Sequence, residues 1–462
     1  MPTVDLYSGT DYASIYYTTN TTYNNIGAFD PEKPTIIILH PLFLDSSWLD
    51  LQMGDYRLNK RYNMIAFDMR CCGRSDSRPT GRHDTWVEAA DLAFCVQRLH
   101  LPPSHILALE GISTSCALRF AVLFPEYCLS LTLVNVPAPV ELKWIYKNLD
   151  ELMHASSFAE DLGSFEKAAF ECIEFLFGPD SDPDLVDELI SFWGEMYPPS
   201  RRPRIAEMTS AYINRSALSP EAYASITQPV LIIQGEKNEL CPMKYAEKLV
   251  SFLTGVKDGP ILYTVKGGTT MLSVVPGNAS IVNKVFSSFL ARLPHHRSEI
   301  VPPDVSVEDR MRMALRRLSE LHGDPEMAYY DPFCSLSFSC LTPEVTKSQS
   351  VLLRHYRKNS HLAFNPADIE DIVFRRSKED HWSDDERHGS SVAGHSIGPF
   401  ERGKQETDRG ERLSSQSDNS PADSPLLRMA FLTSAAEKSN NKGSIVKSIG
   451  STQTTSLHRL LS

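Results

Sequence analysis

Residues 106–120 read Ile-Leu-Ala-Leu-Glu-Gly-Ile-Ser-Thr-Ser-Cys-Ala-Leu-Arg-Phe and contain the signals for a strand, a sharp turn and a helix. An apolar run of strand length stops at Gly111, and an Ala-, Leu- and Phe-rich helical pattern follows Ser113. A serine held on such a turn projects its hydroxyl from the carboxyl edge of a sheet, where it can attack an acyl carbon. Ser113 is therefore a candidate nucleophile, although Ser115 stands where the second glycine of Gly-x-Ser-x-Gly is usual.

Further strand-like runs flank this stretch. Continuous apolar runs, typical of strands buried on both faces of a parallel sheet, occupy residues 34–40, 62–68, 105–110 and 129–135. Helical patterns at residues 85–99 and 116–124 lie between them. This alternation predicts an α/β fold with a doubly wound, mostly parallel sheet. A β-prone run at residues 13–19 adds a leading antiparallel hairpin.

The alternation is interrupted by a helical insertion at about residues 138–226, which we expect to form a cap over the sheet edge. Strand patterns return at 229–235 and 260–265, and a helix at 280–293 completes a domain of residues 1–295. Aromatic residues of the cap give weak support for an apolar ligand, because at helical spacing aromatics more often serve packing. They are Trp144, Tyr146, Phe158, Phe165, Phe170, Phe175, Phe177 and Trp193.

The carboxyl-terminal third has a different composition. An amphipathic helix is predicted from Ser306, its cap, to Leu321, with Gly323 as the stop, and Thr342-Pro343 marks another helix start. We therefore expect a helical extension at residues 296–375. Residues 376–462 are rich in Ser, Asp, Lys, Arg and Gly without a period, which predicts a disordered tail suited to a protein partner or a kinase.

Charge and cysteine content exclude several classes of protein. The formal net charge of −12 argues against a nucleic-acid partner. Nine cysteines without Cys-x-x-Cys spacing suggest neither a disulfide framework nor a zinc ribbon, so we expect reduced thiols, no metal and no cofactor. No signal peptide and no transmembrane run are present, which favours a cytoplasmic protein.

Four blocks of the sequence resemble the α/β-hydrolase superfamily in residue type, order and spacing. They are residues 40–48, residues 68–76, the turn around Ser113 and residues 235–242, and the resemblance covers about residues 10–294. It implies a serine nucleophile, a histidine base on the loop after the last strand, and an acidic residue on the loop after the preceding strand.

Two of these three positions depart from the pattern. Asn238 stands at the acid position, with Glu236 and Glu239 close by in sequence. Thr269 stands at the base position, with Thr270 as the near alternative. Threonine cannot accept a proton near neutral pH, so Ser113 would need a base from elsewhere, and the candidates are His40, His83 and His154.

The resemblance also implies an oxyanion hole built from two backbone N–H groups. One follows the nucleophile, at Thr114, and the other belongs to Leu42 after the first buried strand. Pro41 has no N–H of its own but leaves that of Leu42 available.

Two functional hypotheses follow from the sequence. The first is a serine hydrolase of the esterase or lipase class, acting on a small or medium apolar ester or related acyl compound through Ser113. The second is a catalytically inactive pseudoenzyme that binds a ligand or serves as a scaffold. The replacement of the acid and base favours the second, because loss of the base alone leaves only a weak remainder of activity.

Overall fold

The computed structural model of the chain describes residues 2–366. The tail predicted at 376–462 and the last residues of the predicted extension lie outside the described residues.

Within residues 2–366, nine strands form one mixed sheet. They are β1 (Thr3–Tyr7), β2 (Tyr12–Thr19), β3 (Thr35–Leu39), β4 (Asn63–Phe67), β5 (Asp76–Ser77), β6 (Ser104–Leu109), β7 (Cys128–Val134), β8 (Val230–Gly235) and β9 (Ile261–Val265). The order across the sheet is β1-β2-β4-β3-β6-β7-β8-β9, and β5 pairs with β2. The six strands from β4 to β9 in that order are parallel, while β1, β2 and β5 pair antiparallel. The predicted doubly wound, mostly parallel sheet with a leading hairpin is confirmed.

Helices cover both faces of this sheet. The helices that precede the cap in the chain are α1 (Asp50–Met53), α2 (Tyr56–Asn59), α3 (Thr85–Arg98) and α4 (Ile112–Leu123). The cap contributes α5 (Lys143–Ser157), α6 (Leu162–Phe177), α7 (Pro183–Met196), α8 (Arg202–Ile213) and α9 (Pro220–Ala224). The chain continues with α10 (Met243–Phe252), α11 (Pro276–Leu290), α12 (Val307–His322) and α13 (Pro343–Arg357).

The central strand β6 and the following helix α4 are both fully buried. Helix α4 packs against α3, β6 and β7, and it is rich in small or apolar residues all round, as helices inside a large core are. It begins four residues before the predicted start at 116. The apolar periodicity did not predict this early start, because Ser113, Thr114 and Ser115 are polar residues in the first turn of the helix.

Helices α12 and α13 come after the cap and the last strand in the chain, and they pack into the same hydrophobic core. Met311 and Leu315 of α12 and Leu352 and Tyr356 of α13 belong to the same hydrophobic cluster as β6 and the cap helices. The predicted cap of α12 is present, since the Ser306 side chain accepts a hydrogen bond from the N–H of residue 309. The chain after residue 295 therefore packs α12 on α3 and α4 and α13 on α8.

Neither covalent cross-links nor membrane-spanning helices occur among the described residues. All nine cysteines lie within residues 2–366, where each is a free thiol. In the described part of the chain, no helix is both long and apolar enough to cross a membrane.

A buried ion cluster joins the hairpin, the sheet and α3. Arg70, after β4, donates two hydrogen bonds of 2.8 Å to Asp91 of α3 and bonds of 2.9 and 3.0 Å to Asp11 between β1 and β2. All three side chains are less than 5% exposed. A planar guanidinium matches two carboxylates at once in this way.

Removing Arg70 should therefore destabilise the fold strongly. In an Arg70→Ala variant, two buried carboxylates lose their counter-charge, and we expect the free energy of unfolding to fall by about 3–5 kcal/mol. Urea unfolding followed by circular dichroism measures the change. The matched control is Arg61→Ala, which removes an exposed arginine and should change stability by less than about 0.5 kcal/mol. Equal effects of the two substitutions would contradict the role given to the cluster.

Candidate functional site

The sharp turn between β6 and α4 is made by Glu110 and Gly111. Glu110 has a φ of 54°, and Gly111 has a φ of 59° with a ψ of −120°. Side chains are disfavoured at positive φ, so glycine suits this turn. A Cβ atom built on Gly111 would lie 3.6 Å from the Tyr212 ring of α8, so the apex faces the cap. The residue at the apex has no side chain.

Ser113, the predicted nucleophile, lies beyond this apex. It occupies the first turn of α4, is 1% exposed, and donates its hydroxyl proton to the backbone carbonyl of His40. The structure thus corrects its expected placement on the sharp turn. The physical reason is that β6 ends at Leu109 and α4 begins at Ile112, so the turn is complete before Ser113.

The predicted acid and base positions differ in burial. Asn238 is buried and its side-chain oxygen accepts a hydrogen bond of 2.8 Å from the N–H of Cys241, which holds the loop after β8. Thr269 is exposed and lies on an outer groove. Thr270, the alternative base position, lines an inner cavity together with Asn238 and Gly111.

The three candidate histidines have other surroundings. His40 accepts a 2.9 Å hydrogen bond from the Met69 N–H at Nε2, and its Nδ1 lies 2.8 Å from the Pro41 carbonyl, so the ring holds two loops together. His154 is exposed and stacks on Phe158 at 4.7 Å. His83 is buried next to Glu88. Within residues 2–366, the Ser113 hydroxyl makes its hydrogen bond to a carbonyl and not to any of these rings.

The predicted oxyanion donors differ in their availability. The Thr114 N–H donates to the Gly111 carbonyl at 3.2 Å, and its hydroxyl donates to the same oxygen at 2.7 Å, so this residue closes the first turn of α4. Leu42, in the loop after β3, lines the inner cavity together with Gly111. One of the two donors is therefore already used within the helix.

The inner cavity has a volume of about 40 Å³. Its lining comes from the carboxyl ends of the strands and from the cap: Leu42, Glu110, Gly111, Asn135, Leu176, Tyr212, Asn238, Leu240, Cys241, Thr270 and Met271. Asn135 Nδ2 and Thr270 Oγ1 are buried there without a hydrogen-bond partner in the described residues. Small-ligand sites usually measure about 300–1,000 Å³. This cavity has the size of a water site and not of an ester site.

Glu110 is the buried titratable group of this turn. One carboxylate oxygen accepts the Ser273 N–H at 2.8 Å and the other accepts the Ser273 hydroxyl at 2.6 Å. Burial raises the pKa of Glu110 from 4.5 to about 7, and the hydrogen bonds from Ser273 oppose that rise. The carboxyl anchors the loop after β9 to the apex.

A second concave surface opens outside, between the cap and the sheet edge. This outer groove has a volume of about 1270 Å³. Its apolar side chains include Trp48, Leu51, Phe177, Leu185, Phe192, Val274 and Val275, and its carboxylates are Asp50, Asp180, Asp182, Asp184, Asp187, Glu188 and Glu195. Among the described residues that line it there is no lysine, arginine or histidine. The lining of the groove therefore combines apolar side chains with carboxylates.

Comparison with known proteins identifies the fold. Residues 34–259 match the sequence model of the family described as alpha/beta hydrolase fold. A solved structure with this arrangement is the enol-lactonase from Burkholderia xenovorans LB400, with 13% identity, a TM-score of 0.50, and coverage of 63% of this chain and 100% of that chain. A search of curated proteins found no match.

Two further solved structures are similar at low identity. A hydrolase from Pseudomonas aeruginosa PA01 has 18% identity and a TM-score of 0.48, covering 62% of this chain and 98% of that chain. A thermophilic esterase from Thermogutta terrifontis has 14% identity and a TM-score of 0.49, covering 63% and 99%. The family match and the strand order of the sheet show that this protein has the α/β-hydrolase fold. Helices α5–α9 are inserted between β7 and β8 as a cap.

The residues that sequence reasoning missed are Glu110 and Gly111. A signal for them was present, because a sharp turn needs positive φ and Gly111 is the first glycine after the apolar run. Reading the turn from its glycine instead of its serine would have placed the apex correctly.

Glu110 should make stability pH-dependent. Its folded pKa of about 7 lies above the unfolded value of 4.5, so the stabilisation is fully present below about pH 4.5 and is lost as the pH rises through 7. Between about pH 5.5 and pH 8, the wild type should lose about 2 kcal/mol of unfolding free energy relative to Glu110→Gln. Glutamine keeps an acceptor for Ser273 and cannot ionise. Urea unfolding at the two pH values measures the difference.

The control for this experiment is Glu239→Gln, which changes an exposed glutamate near the same edge of the sheet. It should keep the wild-type pH dependence. A Glu110→Gln variant that also keeps it would show that Glu110 ionises in the folded state as it does in the unfolded one.

Proposed function

We propose that this protein is a non-catalytic α/β-hydrolase-fold protein that binds a partner and does not hydrolyse an ester. The observation that carries the proposal is Gly111 at the apex of the strand-to-helix turn. Catalysis by this fold needs a nucleophilic side chain on that turn. A glycine supplies none.

The surroundings of Gly111 support the same conclusion. Ser113 is buried and its hydroxyl is engaged with the His40 carbonyl, while the Asn238 amide is engaged in its own loop. Neither Asn238 nor Thr270 can act as an acid–base partner near neutral pH. The inner cavity of about 40 Å³ does not accommodate the small apolar ester expected from the sequence.

The outer groove is the site where we propose that a partner binds. Even with Asp184 and Asp187 left out of the count, five carboxylates and no basic residue line the groove, which favours a positively charged partner. The apolar side chains between them offer surface for burial. A partner with both positive charge and apolar side chains, such as a basic amphipathic peptide segment, complements both properties.

The first test concerns catalysis. We expect no covalent labelling of the folded wild type by a fluorophosphonate probe under conditions that label an active esterase, because Ser113 is buried and without a base. The Ser113→Ala variant should lower the free energy of unfolding by about 1 kcal/mol through the lost hydrogen bond to His40. Gel fluorescence and urea unfolding provide the two readouts. Labelling that disappears in Ser113→Ala would instead establish the hydrolase hypothesis.

The second test concerns binding. A helical peptide built from leucine and lysine should bind the wild type, and the double variant Glu188→Lys and Glu195→Lys should bind it about tenfold more weakly at low salt. These glutamates are exposed and lie seven residues apart on one face of α7. Fluorescence anisotropy of the labelled peptide measures the affinity.

Two controls make the binding result specific. Glu326→Lys reverses an exposed charge outside the groove and should leave the affinity unchanged. A leucine and glutamate peptide should not bind. Equal affinity of the groove variant and the wild type would contradict the groove as the binding site.

A further inference from the structure

A buried cluster of three different chemical groups lies where the cap meets the sheet. Cys71 belongs to the loop after β4, His83 to the loop before α3, and Glu207 to α8 of the cap. Their Sγ, ring nitrogen and carboxylate oxygen atoms all lie within 4.8 Å of one another. Each of the three residues is at most 1% exposed.

The imidazole of His83 gives an independent indication of a ligand. Its Nε2 atom is in an ion-pair contact with a carboxylate, and its Nδ1 atom makes no hydrogen bond to any residue in the described part of the chain. The nearest carboxylate oxygen is Glu88 Oε1, at 3.4 Å from Nε2. Buried polar groups in proteins are nearly always partnered, so the buried Nδ1 atom of His83 points to a bound group.

The Glu207 carboxylate is held in a fixed orientation. Its Oε1 atom accepts hydrogen bonds from the backbone N–H groups of Thr80 at 2.6 Å and Gly81 at 3.0 Å. Its Oε2 atom lies 3.3 Å from Cys71 Sγ. One oxygen is thus anchored by the backbone and the other faces the thiol.

We propose that Cys71, His83 and Glu207 bind a zinc ion that joins cap helix α8 to the two core loops. Cysteine, histidine and glutamate are the usual zinc ligands, and a sulfur and an oxygen ligand on tetrahedral zinc are about 3.5 Å apart, close to the separation of Sγ and Oε2. A thiolate ligand also favours zinc over magnesium or calcium. This site does not depend on the proposed function.

Charge and proton balance are satisfied by this ligand set. Zinc displaces the Cys71 thiol proton, which leaves to solvent, and the thiolate and the Glu207 carboxylate together balance the two positive charges of the ion. No oxidation or reduction takes place. A water molecule completes the four ligands, and the Glu88 carboxylate accepts the remaining ring proton of His83, as carboxylates do for zinc-bound histidines.

The role that follows is structural. The ligands are separated by 12 residues and then by 124 in the chain, so the sequence shows no zinc motif. Nothing in the sequence therefore contradicted the expectation that the protein binds no metal. The ion would close a long loop that contains α5–α7 and the sheet strands β6 and β7. Closing such a loop stabilises the placement of the cap.

The test measures metal in the full-length chain. Elemental analysis of protein purified without chelators should give about one zinc per chain, and Cys71→Ser and His83→Gln should each give less than about a tenth of that. Cobalt added to chelator-treated wild type should produce a thiolate-to-cobalt charge-transfer band that Cys71→Ser lacks. The control Cys95→Ser removes another buried thiol, on α3, and should keep both signals.

Two further measurements keep the proposal testable if a ligand variant fails to fold. Glu88→Gln, a change in a positioning residue, should lower zinc affinity by about 10- to 100-fold and keep the cobalt band. Chelator-treated wild type should show a melting temperature that rises with added zinc. Folded wild type that takes up no stoichiometric zinc or cobalt, or a Cys71→Ser variant that loads as wild type does, would overturn the proposal.

Discussion

The positive φ at Gly111 is the constraint on which the centre of this molecule depends. Strand β6 and helix α4 are both buried on every side, so the chain must reverse direction within two residues. A reversal that short requires left-handed backbone torsion, which glycine tolerates best. With glycine at this position, the turn has no side chain where this fold otherwise presents a nucleophile.

The polar residues of the hydrolase-like blocks hold loops together. Asp68 accepts hydrogen bonds of 2.8 Å from the N–H groups of Ser46 and Arg74. His40 and Asn238 likewise satisfy backbone groups of neighbouring loops. Polar residues that match a catalytic pattern in sequence thus stabilise the loops at the carboxyl edge of the sheet. Finding them in a sequence indicates the fold and does not by itself indicate a reaction.

The cap determines which space next to the sheet is open. Tyr212 and Leu176 from the cap line the inner cavity and reduce it to about 40 Å³, whereas α7 and the preceding loop leave an outer groove of about 1270 Å³. Most of the aromatic residues of the cap are packed in its core, including Phe165 and Trp193. The outer groove and the cluster of Cys71, His83 and Glu207 both lie where the cap meets the rest of the fold. The groove is the proposed binding site, and the cluster is the proposed zinc site.

The sequence by itself determined the leading hairpin, the parallel strands β3, β4 and β6 to β9, the helical insertion, the helices α3, α11 and α12 and the start of α13. Apolar periodicity and capping residues are local signals that a single chain displays. It also predicted that Asn238 and Thr269 stand at the acid and base positions. Only the tertiary structure decided that Gly111 is the apex, that Thr270 and not Thr269 lies beside it, and that Cys71, His83 and Glu207 meet. The physical reason is that backbone torsion at a turn and contacts between distant residues arise from packing the whole chain, and no local pattern records them.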